Sequence, residues 1–150
     1  MSTPISALVI APHGLGATGV RRISPSLANL QKIVGGFIEP MYGYRDPSGL
    51  LLTWPTTVIY VNEEAKIHGG AALNLPATAL WWHLDPQAAG RSILAGPAVV
   101  LGLGAGNDDT EHPVPEHVRA AFTAITNGCD PRYTGDPARN HYVHTAAGGR

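Results

Sequence analysis

The stretch Ile23–Tyr42, ISPSLANLQKIVGGFIEPMY, contains a helix start, a helix stop and a following strand in one reading. Ser24 can cap a helix whose first position is Pro25, where the missing N–H costs nothing, and Leu27, Leu30 and Val34 then fall on one face. Gly35 and Gly36 supply the left-handed backbone that closes a helix without a Cβ clash. Phe37-Ile38-Glu39 resumes with β-favouring character until Pro40 limits the ladder. These residues predict a helix over 25 to 34 and a strand over 37 to 42.

The chain around this unit has 150 residues, 44% of them hydrophobic, enough for one ordinary core. Its 18 Gly and 13 Pro lie between apolar runs rather than in a repeat, which predicts many turns joining short elements. A net charge of −1 with 14% charged residues leaves no basic footprint for nucleic acid or for an anionic membrane. The one cysteine, Cys129, excludes an intramolecular disulfide, and the N-terminal MSTPISALVIAPHG has neither a basic start nor a long apolar run. A cytoplasmic protein without a membrane span is expected.

Ile5–Ala11 is a short apolar run ended by Pro12, read as the first strand. His13-Gly14-Leu15-Gly16-Ala17-Thr18-Gly19 matches the G-x-G-x-x-G spacing of dinucleotide loops. In that fold the third glycine lies inside the opening helix, whereas here Ser24-Pro25 marks the helix start. A hairpin turn leading to another short strand is therefore preferred. Gly43–Pro55 is turn chemistry around Leu50-Leu51-Leu52, read as a flap over the core. Thr56–Val61 (TTVIYV) is wholly β-branched or aromatic, without polar alternation, which predicts a central strand covered on both faces.

The polar group Asn62-Glu63-Glu64-Ala65-Lys66-Ile67-His68 follows directly, and its two carboxylates have the chemistry of an acid and a base or of a cation site. Next, Pro76 opens a single helical turn with Ala77, Leu80 and Trp81 on one side. The adjacent Trp81 and Trp82 cannot both face one core, so one of them is expected to line a groove or an interface. Gly96-Pro97 should break the apolar run Arg91–Leu103. Asn107–Glu111 lacks calcium-loop order and is read as a solvated turn. Pro115–Thr126 is an amphipathic helix with Val118, Ala121, Phe122 and Ile125 on one face. Residues 129 to 150 have no apolar period and read as a flexible tail. Cys129, His141 and His144 lack the spacing of a zinc site, so no metal is assigned, and no cofactor either.

Four separated motifs, in order, carry a resemblance: LQKIVGGFIE from Leu30, VIYVNEEAK from Val58, Asn74 with Ala77-Thr78, and GPAVV from Gly96. They resemble the small domain-of-unknown-function family numbered three-eight-four-six, met in phages and mobile elements, over about residues 5 to 104. The long Gly43–Pro55 connection, the Leu75-Pro76 interruption and the helix and tail after Gly104 depart from that pattern. The resemblance implies a phage or mobile-element setting and a compact fold, and brings no activity with it.

The expectation is one α+β domain over 1 to 128, with a mainly antiparallel sheet (strands near 5–11, 37–42, 56–61 and 93–102) and two principal helices, 25–34 and 115–126. The expected function is a non-enzymatic accessory binding protein that engages a host protein or sequesters a small nucleotide-like ligand, with self-association left open. Its surface would comprise Asn62, Glu63, Glu64, Lys66, Asn74, Thr78, and Trp81 or Trp82. The alternative is a small hydrolase or transferase using Glu63, Glu64 or His68. Truncation after Gly128 is expected to leave the melting temperature nearly unchanged. In thermal unfolding, a loss above about 1 kcal/mol would show that the tail docks, with Tyr133 or Tyr142 as anchor.

Overall fold

A computed structural model describes residues 3–12, 17–65, 72–106 and 110–127. Its elements in chain order are β1 (Ile5–Ile10), β2 (Gly19–Ile23), α1 (Leu27–Val34), β3 (Ile38–Gly43), β4 (Thr57–Asn62), α2 (Leu75–Leu84), β5 (Ala98–Leu103), β6 (Glu111–His112) and α3 (Glu116–Asn127). The sheet order is β2-β1-β5-β4-β3, with β6 also paired to β5, and every named pairing is antiparallel. The fold is α+β with a mainly antiparallel sheet.

The period-2 geometry of the strands divides the core in two. Ala7, Val58, Val99 and Leu101 face α1, where they meet Leu30 and Val34. Leu8, Ile10, Ile59, Val61, Ala98 and Val100 face the other way, onto α2 and α3. β4 is thus covered on both faces, which accounts for its unbroken apolar run. β1 and β2 form an antiparallel hairpin with Val9 opposite Gly19, so the glycine motif joins two strands rather than opening a phosphate-binding helix. Residues 13 to 16 of that connection lie outside the described residues.

Several local expectations shift. Helix α1 starts two residues later than Ser24-Pro25 implies: Ser26, in extended conformation, accepts the Asn29 N–H, while the Ser24 carbonyl accepts the Ser26 N–H at 2.8 Å. Leu27 is 59% exposed and leaves the core face to Leu30 and Val34. Gly35 ends the helix at φ 85°, donating to the Gln31 carbonyl at 2.8 Å. Pro40 does not end β3, because β3 is an outer strand and its far side needs no donor there. Gly96, at φ 77°, breaks the 91–103 run as expected, so β5 begins at Ala98.

The principal correction is α2. The sequence predicts a single turn, and a ten-residue helix is present, buried at every position except His83. A helix covered all round has no apolar stripe, so the periodic signal of a helix is erased. Among the described residues three helices are therefore present, α2 beside the two principal ones expected. Trp81 and Trp82 are both buried, at 8% and 4% exposure, contrary to the expectation that one would line a groove. Both belong to the core layer shared by α2 and α3, where the Trp82 Nε1–H donates to the Ser92 carbonyl at 2.9 Å.

A polar knot sets the N-terminus of α2. Asn74, fully buried, caps the helix by accepting the Ala77 N–H at 3.1 Å. Its amide Nδ2 donates to the carbonyls of Ile10 at 2.9 Å and Gly96 at 2.8 Å, tying the end of β1 to the entry of β5. The Thr78 hydroxyl donates to the Asn74 carbonyl at 2.7 Å and accepts the Leu94 N–H at 2.9 Å. Asn74→Ala would remove the acceptor of the buried Ala77 N–H and the shared donor of the Ile10 and Gly96 carbonyls and is expected to cost about 3–5 kcal/mol in chemical denaturation. Asn74→Asp keeps the cap acceptor but sets a carboxylate against two carbonyl oxygens, so it should cost at least as much. An Asp variant more stable than the Ala variant would show that the cap, not the amide donors, dominates.

Candidate functional site

The residues expected to form one binding surface do not share one. Asn74 and Thr78 are fully buried with their polar atoms engaged in the knot, and Trp81 and Trp82 lie in the core. Asn62 is half-buried and shapes its own turn: Oδ1 accepts the Glu64 N–H at 2.9 Å and Nδ2 donates to the Val34 carbonyl at 3.4 Å. Gly36 gives it room, since a Cβ there would come within 2.7 Å of Asn62 Nδ2 and displace that amide. Glu63 and Glu64 are exposed, and the Glu63 N–H holds the Phe37 carbonyl at 2.9 Å. Lys66 and His68 lie outside the described residues, as do Asn107–Asp109, Cys129, His141 and His144.

The surface that stands out is the connection between β3 and β4. Of the eight exposed large apolar side chains among the described residues, three lie in it, Leu50 at 65%, Leu51 at 51% and Trp54 at 39%, and a fourth, Tyr42 at 39%, stands in β3 just before it. The segment does not fold over the core as a flap. It forms a small hairpin, with an isolated bridge between Arg45 and Leu51 and the Leu52 N–H on the Tyr44 carbonyl at 2.8 Å. Asp46 builds its turn by accepting from Ser48 Oγ at 2.7 Å and from the N–H groups of Ser48 and Leu50 at 2.9 and 3.0 Å. The Ser48 hydroxyl above all, with those backbone N–H groups, holds the Asp46 carboxyl below its ordinary pKa.

The hairpin is anchored at its base on two helices. The Tyr44 N–H donates to the Leu84 carbonyl at 2.8 Å and Arg45 Nε to the His83 carbonyl at 2.6 Å, satisfying the orphan acceptors at the end of α2. Arg45 also places a cation at the negative end of that helix. His117, in the first turn of α3, has Nε2 3.0 Å from the Arg45 carbonyl, and the Thr56 hydroxyl donates to the same carbonyl at 2.7 Å. Gly43 lets the strand reach α2, since a Cβ there would sit 2.6 Å from Leu84 Cβ.

Two concavities of about 450 Å³ flank the hairpin and share Leu52. One runs between Trp54, Pro47, Leu103, Ala105 and the α3 start at Pro115–His117. The other lies against Tyr44, Leu51 and the turn Asp85–Gln87. An apolar ridge between two grooves, held on a braced base, suits the binding of a shaped apolar surface. The leucine triplet was the one signal for it in the sequence, and three consecutive leucines do not say which of them point outward.

A family model described as "Domain of unknown function (DUF3846)" matches residues 5–124. The match takes in most of α3, so that helix is part of the matched domain rather than an addition after Gly104. Comparison with curated proteins and with solved structures finds no match. No helix among the described residues is long and apolar enough to cross a membrane.

His83 supplies a pH test of the bracing. Burial first, and then the charges of Arg45 and His117, hold its pKa below the ordinary histidine value of 6.5. The unfolded chain therefore binds the His83 proton more readily, so the stability this group contributes is present above pH 6.5 and is lost as pH falls toward the lower folded value. Thermal unfolding from about pH 7.5 to 5 should show a falling melting temperature, and His83→Gln should flatten that fall. Identical slopes in the two proteins would show that the His83 proton is not linked to folding.

Proposed function

This chain belongs to the DUF3846 family, and from its surface we propose that it is a non-enzymatic accessory binding protein of a phage or mobile element, engaging a host protein in the host cytoplasm through the 43–56 hairpin. The observation that carries this reading is the concentration of three of the eight exposed large apolar side chains among the described residues, Leu50, Leu51 and Trp54, on one short, doubly braced hairpin. Solvent-facing leucines beside a half-exposed tryptophan bring no benefit to the isolated fold, whereas aromatic and apolar anchors held rigid beside a groove bind with little ordering cost. The setting rests on the sequence motifs. A hydrolase or transferase built on Glu63, Glu64 or His68 has less support, since Glu63 and Glu64 stand exposed on a turn shaped by Asn62.

The test places a photo-crosslinking amino acid at position 51 in host cells, with position 32 on exposed α1 as control. A single dominant protein adduct from position 51, absent from position 32, is expected. Trp54→Ala and Leu50→Ser should each weaken binding of that purified partner by about tenfold or more while leaving thermal unfolding within about 1 kcal/mol of wild type. A co-purifying small molecule seen in native mass spectrometry and lost in Trp54→Ala would replace the protein partner with a small ligand. Equal adduct patterns from the two positions would overturn the assignment of the hairpin.

A further inference from the structure

We propose that the outer edge of β2 takes an extended acidic segment of another protein, added to the sheet as a further strand, with an apolar residue two positions from an acidic one. The strands at the two ends of the main order, β2 and β3, differ. β3 is interrupted by Pro40, which has no N–H to offer an incoming strand. β2, Gly-Val-Arg-Arg-Ile over Gly19–Ile23, has no proline and, among the described residues, pairs only with β1. Its outer backbone groups are a template for strand addition.

The side chains along this edge state what the added strand should carry. Register sets Val20 opposite Leu8 and Arg22 opposite Ser6, on the face that carries α3, while Arg21, opposite Ala7, lies on the α1 face. Val20 is 42% exposed and, with Leu8 and Phe122, lines a concavity of about 260 Å³ between the hairpin and α3. Arg119, Thr123 and Thr126 line it as well. Arg22 is steadied by donation to the Pro4 carbonyl at 3.0 Å, and Arg119 meets Glu116 at 3.4 Å in an exposed pair that is easily exchanged.

Arginines alone would be a guard against edge pairing. A guard has no need of an apolar hollow beside them. A strand laid along β2 sends alternate side chains over that hollow: the one opposite Val20 enters it, and its neighbours two positions away approach Arg22 on one side and Arg119 on the other. The complementary pattern is acidic, any residue, apolar, any residue, acidic.

The full-length chain is titrated with a capped heptapeptide, Thr-Glu-Thr-Leu-Thr-Glu-Thr, by calorimetry and by amide shifts in NMR. Saturable binding with shifts centred on Gly19–Ile23 is expected. Arg22→Glu should weaken it by about tenfold and Arg119→Glu by about threefold, whereas Arg21→Glu should change it by less than about twofold. A peptide with Lys in place of Glu should bind the Arg22→Glu protein better than it binds wild type. N-methylation of alternate peptide amides should abolish binding, because the ladder is lost while the charges remain. Absence of binding at millimolar peptide, equal effects of Arg21→Glu and Arg22→Glu, or indifference to N-methylation would overturn the proposal. So would binding that arises only after truncation at Gly128, or only when a self-associated form of the chain is dissociated, since the edge would then be occupied by this chain.

Discussion

The architecture depends on the buried amide of Asn74. Its two donors join carbonyls at Ile10 and Gly96, more than eighty residues apart in the chain, and its carbonyl oxygen holds the first turn of α2. Thr78 closes the arrangement by linking the Asn74 carbonyl to the Leu94 N–H. Each group would be costly to bury unpaired, so they are stable only together. The knot fixes where α2 begins, which strand ends lie beneath it, and how the chain enters β5. No apolar residue substitutes for it, because none supplies donors and an acceptor at once.

The other end of α2 is completed by a segment far from it in sequence. Tyr44 and Arg45 satisfy the carbonyls that close the helix, so the base of the exposed hairpin is also a piece of core architecture. The apolar tip has little freedom to collapse onto the protein, because Asp46 locks the turn and Thr56 and His117 hold the Arg45 carbonyl. The energy of holding Leu50 and Leu51 in water is thus met by hydrogen bonds several residues away.

What could be read in the sequence is what leaves a period or a steric requirement. Leu30 and Val34, or Val118, Phe122 and Ile125, write one-sided burial as a helical repeat. The β-branched run of β4 and the positive-φ glycines at 35 and 96 are equally local signals. Helix α2 was not legible at its full length because burial on all sides removes the pattern, and its two tryptophans were misplaced for the same reason. Asn74 and Thr78 stand out in the sequence as unusual, but they hold the fold and not a ligand. A side chain that grips the protein's own backbone has the same chemistry as one that grips a bound molecule, and only burial separates them. Arg45 gave no signal, since the carbonyl its Nε reaches lies on α2, far from it in the chain.

The strand order carries a consequence for how the chain is assembled. β1 with β2, and β3 with β4, are neighbours in sequence, yet among the described residues no ladder joins the two hairpins except through β5. Val9 finds its partner at Val99, so the inner edges of both hairpins remain open until the chain has been synthesised through Leu103. On a ribosome the first two thirds of the molecule emerge as two unjoined ribbons with apolar edges, and β5 then closes both at once. The most buried strand is therefore also the last of the central strands to be made, a long-range pairing of the kind that slows folding and leaves edges exposed while it is awaited.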